Sequence, residues 1–152
     1  MNEIALIEEL RKPEYASLSD QEASDAINAK TVAIRVPVST AEAIAHASGE
    51  GYYCNLEDAA NKTPGVLGTP QDKCRQAAIN ILKYIESSKI THINMDSEKV
   101  ISMKIALIEC GFATPQQVAS LDALANKQVR WVDHYGHGTV GDGTIKSLRG
   151  ML

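Results

Sequence analysis

Thr69-Pro70-Gln71-Asp72-Lys73-Cys74-Arg75-Gln76-Ala77-Ala78-Ile79-Asn80-Ile81-Leu82-Lys83-Tyr84-Ile85-Glu86-Ser87 is the stretch on which the fold class turns. Cys74, Ala77, Ala78, Ile81, Leu82 and Ile85 recur at spacings of three and four, while Asp72, Lys73, Gln76, Asn80, Lys83 and Glu86 fall on the other side. That period is an α-helix with one buried face. Thr69 can cap it, and Pro70 sits at the first helical position, where a missing N–H costs nothing. The spacing predicts a core helix over 70–87.

Working outward, three more helix starts are written as capping boxes: Ser19-Asp20-Gln21-Glu22, Ser39-Thr40-Ala41-Glu42 and Thr114-Pro115-Gln116-Gln117. In each, a hydroxyl can accept from an unsatisfied N–H while Glu or Gln reaches back. Helices are therefore expected over 19–29, from 39 to about 47, and from 114 to about 126. Ile4, Leu6, Ile7 and Leu10 add a first amphipathic helix that Pro13 ends, and 52–61 reads as another short one. Asp96 or Ser97 can open a helix to Cys110, with Gly111 as its stop. Its Val100, Ile101, Met103, Ile105, Ala106, Leu107 and Ile108 are apolar almost all round, which predicts a central position. The expected centre is Ile81, Leu82, Ile85, Val100, Met103, Leu107 and Ile108.

One segment changes period. In Thr31-Val32-Ala33-Ile34-Arg35-Val36-Pro37-Val38 the apolar residues alternate, as in a strand with one buried face. Pro37 cannot donate to a ladder, so the segment is an edge strand or an extended arm. It can pair with a weak sibling or with another subunit. The fold class that results is mainly α: a bundle of short helices with one or two short strands or an extended arm. The expected division is a helical domain over 1–126, carrying the arm at 31–38, and a Gly-rich C-terminal segment over 127–152 with a short helix near 144–149, acting as an interface tail.

At 152 residues one core-forming domain is the default. Aromatics are only 5% of the chain, so its core must be aliphatic. The formal charge of −4, with scattered Lys and Arg, is unlike the basic footprint of a protein that neutralises a phosphate backbone. No run of about 20 apolar residues could span a bilayer. Cys54, Cys74 and Cys110 have no metal-ligand spacing, and the last two read as small buried hydrophobes. The start, Met1-Asn2-Glu3-Ile4, lacks the basic and apolar regions of a signal peptide, so synthesis in a reducing cytoplasm is expected.

Candidate chemistry is sparse. His134 and His137, with Asp133 and Asp142 nearby, could ligate a metal only if a helix aligned them, and Gly136 and Gly138 oppose a helix. Gly136 to Gly143 lacks the lysine and the flanking strand and helix of a phosphate-binding loop. Ser19 to Val32 has the outline of half a helix-turn-helix, but Asp20, Glu22 and Asp25 dominate it. No nucleophile or acid–base constellation is written in the chain. No enzyme, cofactor or metal is expected.

Leu18-Ser19-Asp20-Gln21-Glu22 and Ala26-Ile27-Asn28-Ala29-Lys30-Thr31-Val32 resemble a family of small tailed-bacteriophage proteins with a Leu-Ser-Asp turn and a valine-rich arm. The likeness continues at Ile81 to Ser87, at Cys110-Gly111-Phe112-Ala113-Thr114 and at Arg130 to Gly136, where Trp131 departs from the family's element. It covers most of the chain and carries no catalytic residues. The resemblance implies a non-enzymatic virion component of tail, neck or capsid, made in the host cytoplasm, that docks onto other virion proteins or onto itself. The expected contact residues are Val32, Ile34, Val36, Val38, Trp131 and Tyr135. The alternative is a phage-encoded regulator that binds nucleic acid or a host protein through its first helices.

Overall fold

The computed structural model describes residues 2–152. In chain order the elements are α1 (Glu3–Leu10), a 3-10 turn at Pro13–Tyr15, α2 (Asp20–Ala29), β1 (Thr31–Arg35), β2 (Val38–Ser39), α3 (Thr40–Gly49), α4 (Tyr52–Ala60) and α5 (Pro70–Ile85). They continue through β3 (His92–Ile93), α6 (Glu98–Glu109), α7 (Pro115–Ala123), β4 (Asn126–Arg130), α8 (Trp131–His134) and α9 (Asp142–Arg149). The protein is mainly α, and its strands form two pairs, β1 with β4 and β2 with β3.

The helix starts follow from local chemistry. Ser19 Oγ accepts from the Glu22 N–H at 3.2 Å while the Glu22 carboxylate accepts from the Ser19 N–H at 2.8 Å. Thr114 and Gln117 repeat the exchange at 3.1 and 2.9 Å. At Ser39 only the forward half forms, the hydroxyl accepting from Glu42. Ser97 rather than Asp96 caps α6. Gly111, at φ +70°, lets the Phe112 and Ala113 N–H groups turn back onto the Leu107 carbonyl.

The chain divides into two units, one made of the residues up to Ile34 together with Lys127–Leu152, the other of Arg35–Asn126. This corrects the expected division. The last 26 residues are not a tail but half of the first unit's core, because their apolar residues complete a face that α1 and α2 leave open. Leu6, Leu10, Tyr15, Ala23 and Ile27 pack there with Trp131, Val132, Val140, Ile145 and Leu148. Polar side chains lock the two halves. Asn28 acts like a strand neighbour to Val140, its amide donating to the Val140 carbonyl at 2.7 Å and its carbonyl accepting from the Val140 N–H at 2.9 Å. The Arg149 guanidinium donates to the carbonyls of Leu18 and Tyr15 and to the Asp20 carboxylate.

Glu9 is the buried charge of this unit. Burial pushes its carboxyl up, but hydrogen bonds from Lys12, Lys30 and Tyr15 together outweigh that and hold it below its ordinary value. Burial, then the neighbouring Glu9 carboxylate, raises the Tyr15 phenol.

In the second unit, α3 to α7 enclose an aliphatic core built from Ala43, Tyr52, Leu56, Ile81, Leu107 and their neighbours. Val38 pairs antiparallel with Ile93, and both are buried. The 31–38 segment is therefore not a free arm. Its first part hydrogen-bonds to β4 and its last residue is core, with Pro37 marking the break. Asn126 begins β4, so the expected helix over 114–126 stops at Ala123. Cys74, near the start of α5, and Cys110, just past α6, are half-buried and joined by a disulfide with Cα atoms 5.5 Å apart. They were expected as separate buried hydrophobes, but the packing of α5 on α6 brings them together.

Candidate docking surface

Helix α6 has the sequence Glu-Lys-Val-Ile-Ser-Met-Lys-Ile-Ala-Leu-Ile-Glu and does not lie at the centre of its unit. Val100 and Leu107 are buried, with Met103 partly so, and this face packs into the core. Ile101, Ile105 and Ile108 are 41%, 49% and 38% exposed. Spaced by four and three, they form one ridge along the outer face. Ile108, expected in the core, is thus on the surface. The apolar residues of α6 lie on more than one face, and α5 and α7 cover only part of it.

Three ties hold the ridge in place. Arg35 donates to Asp96, just before α6, at 2.8 Å and to Asp122 of α7 at 3.0 Å. Lys104 of α6 donates to the same Asp122 carboxylate at 2.7 Å. The disulfide fastens the far end to α5. Hydrogen bonding by Arg35 holds the Asp96 and Asp122 carboxyls below their ordinary range, so both are charged at neutral pH. A partner meeting this ridge would find it already ordered, which lowers the entropic cost of binding.

The polar residues of α6 set the character of the surface. Glu98, Ser102 and Glu109 are exposed and share the strip next to the ridge. Among the described residues neither glutamate has an ion-pair partner, whereas Lys104 is paired with Asp122. Lys99 lies over the Tyr84 ring, 4.7 Å from its centroid. Beyond that strip a groove of about 730 Å³ runs between α5 and α6, lined by Ile81, Tyr84, Lys99, Ser102, Met103 and Ala106 among others.

The residues expected to make contacts are distributed differently. Val32, Ile34 and Val36 are half-buried in the strand region and Val38 is fully buried. Trp131, 6% exposed, belongs to the first unit's core, so it is a packing residue here. Tyr135 alone of the six is at the surface, its ring 4.7 Å from that of Trp131. The structure does not gather these six into one patch.

The histidine stretch is also divided. His134 is exposed, while His137 is 8% exposed and stacked on Trp131 with ring centroids 5.6 Å apart. Gly136 and Gly138, both with positive φ, form the turn that carries His137 inward. Among the described residues neither ring nitrogen of His137 has a hydrogen-bond partner, and burial lowers its pKa, favouring the neutral ring. Among the described residues no group of three or more His, Cys, Asp or Glu is placed to hold a metal ion. Among them, too, no helix is long and apolar enough to cross a membrane.

The α6 ridge was missed in the sequence because its isoleucines were assigned to the core. A signal was present: Glu98, Ser102 and Glu109 share one side of the helix, beside Ile101, Ile105 and Ile108, and mark where solvent begins. Comparison with models of protein families, with curated proteins and with solved structures finds no match to this chain.

Proposed function

We propose that this chain acts by protein–protein docking, without catalysis, as a component of a tailed-bacteriophage particle, and that the α6 ridge is the surface that docks. The observation that carries the docking reading is the ridge of Ile101, Ile105 and Ile108, exposed on a helix tied down by Arg35, Lys104 and the disulfide. Exposed apolar surface on a rigid element costs solubility and is the usual mark of an interaction site. Covering three isoleucines that are each about two-fifths exposed would gain about 2–4 kcal/mol, enough to anchor a larger interface. The phage context rests on the resemblance of the Leu18–Val32, Ile81–Ser87 and Cys110–Thr114 segments. Neither unit offers an excess of Lys and Arg, and a nucleic-acid partner would require one.

Sedimentation of particles from lysates containing the chain tests this reading. The chain should travel with intact particles at a fixed copy number. The Ile101→Ser/Ile105→Ser/Ile108→Ser variant should stay in the supernatant with an unchanged far-UV circular dichroism spectrum. A wild-type chain that remains free of particles, or a folded variant that remains attached, overturns it.

A further inference from the structure

We infer that the Cys74–Cys110 disulfide is a redox-operated latch, opened by a dithiol, that sets the order of the C-terminal half of the α6 ridge; its bearing on docking rests on the reading above. The two ends of α6 are held differently. Ser97 caps the start, Arg35 grips Asp96 just before it, and Lys104 in the middle is bound to Asp122 of α7. From Ile105 to Glu109, among the described residues, no side chain makes an ion pair or a hydrogen bond. Cys110, two residues past Ile108, is the C-cap, and its bond to Cys74 joins this end covalently to α5. Beyond the helix Phe112 is buried, and its carbonyl accepts from the Asn55 amide at 2.9 Å. Leu107 and Phe112 therefore stay anchored when the sulfurs part, while the turn carrying Ile105 and Ile108 gains freedom.

A reagent can reach the bond. Both cysteines are half-buried and line an open pocket of about 420 Å³, with Thr63, Gln71, Arg75 and Glu109 among its other walls. A thiolate of a dithiol attacks one of the two sulfurs, forms a mixed disulfide and expels the other cysteine as a thiolate, which takes up a proton. The second thiol of the reductant then attacks the mixed disulfide. The remaining cysteine leaves and is protonated, and the reductant departs as its own cyclic disulfide. Two electrons and two protons have passed from the dithiol to the cysteine pair. A low-molecular-weight disulfide closes the latch again by the same exchange and is itself reduced to two thiols.

The bond is not a substitute for a core. Small disulfide-dense domains rely on their bridges because they bury too little, whereas α3 to α7 enclose an aliphatic core of their own. Below its unfolding midpoint the reduced unit keeps that core and loses order at one end of α6. A partner then has to order Ile105 and Ile108 as it binds, which weakens docking about three- to tenfold.

Hydrogen–deuterium exchange tests this on the full chain, well below the unfolding midpoint, in three forms: oxidised, reduced with dithiothreitol, and Cys74→Ser/Cys110→Ser. Dithiothreitol without denaturant should free two thiols besides Cys54. Amide protection over 105–111 should then fall roughly tenfold, while α3 and α4 keep theirs and the far-UV circular dichroism spectrum is unchanged. The serine variant should match the reduced chain, and if it does not fold the reduced wild type carries the test. In particle sedimentation the oxidised chain should attach about three- to tenfold more tightly than the serine variant or the reduced chain, and oxidised glutathione should restore the latter.

The inference is overturned if the folded protein resists the dithiol until denaturant is added, or if 105–111 stays protected after reduction. Protection lost evenly through the unit would also overturn it, since the bond would then be a staple for the whole core. So would equal attachment of latched and unlatched chains to particles. An oxidised chain that never joins a particle sinks the docking reading instead, and the exchange data then decide the latch by themselves.

Discussion

Opening the Cys74–Cys110 disulfide should unfold the Arg35–Asn126 unit at a much lower temperature. The bond joins residues 36 apart in sequence, in a unit whose two longest helices, α5 and α6, it fastens together. Restricting a loop of that length in the unfolded chain contributes about 4 kcal/mol by chain entropy. For a unit of this size each kcal/mol moves the midpoint by roughly 4–8 °C, so reduction should lower it by about 15–30 °C. Thermal and urea unfolding followed by far-UV circular dichroism, with and without a reductant, would measure the change. Trp131, the single tryptophan, belongs to the other unit, so its fluorescence serves as an internal control that should move far less. Before reduction only Cys54, which is exposed and free, should react with an alkylating agent. The reasoning fails if Cys74 and Cys110 are alkylated in the untreated folded protein, or if reduction shifts the circular dichroism transition by less than the equivalent of about 1 kcal/mol.

Protonation of His137 should destabilise the first unit. Its folded pKa is lowered by burial, so the unfolded chain takes up the proton first; stability is full above the ordinary value near 6.5 and falls as pH drops from there toward the lowered value. Urea midpoints read from Trp131 fluorescence at pH 7.5 and 5.5 should differ for the wild type and converge for His137→Phe, and an equal pH slope in both would refute the assignment. Lys30→Ala should cost about 1.5–3 kcal/mol, because Glu9 stays buried with one fewer charged donor. Chemical denaturation measures that, and a change under 0.5 kcal/mol, within the range of an ordinary surface substitution, would show the bond to be dispensable. A cavity of about 50 Å³ lies beside Val100, Ala47, Leu56 and Leu107. Val100→Ile should therefore stabilise the second unit by up to about 1 kcal/mol, and a lower melting temperature would show that the space cannot take a methyl group.

Which parts of the protein could be read in advance depends on the range of the forces involved. Helix α5 was legible because its apolar period, its Thr69 cap and Pro70 all lie within the helix or beside it. The stop at Gly111 and the boxes at Ser19 and Thr114 were legible for the same reason, since each bond spans only three to six residues. Strand β4 was not. Asn126-Lys127-Gln128-Val129-Arg130 has one apolar residue and becomes a strand by pairing with β1, far away in sequence. The candidate surface was half visible. All three isoleucines were noted, but their face could not be assigned, because exposure depends on where α5 and α7 stop covering α6.

The amino-acid order alone settled the mainly α class, the positions of most helix starts, and the absence of any familiar catalytic motif, since propensity, capping and periodicity act over a few residues. Tertiary structure decided four things: the C-terminal segment folds with α1 and α2, Cys74 meets Cys110, Trp131 and His137 turn inward, and Ile101, Ile105 and Ile108 face out. Each of these depends on which distant surface fills a given space. A local pattern shows that a side chain is apolar, and only the packed chain determines whether anything is left to cover it.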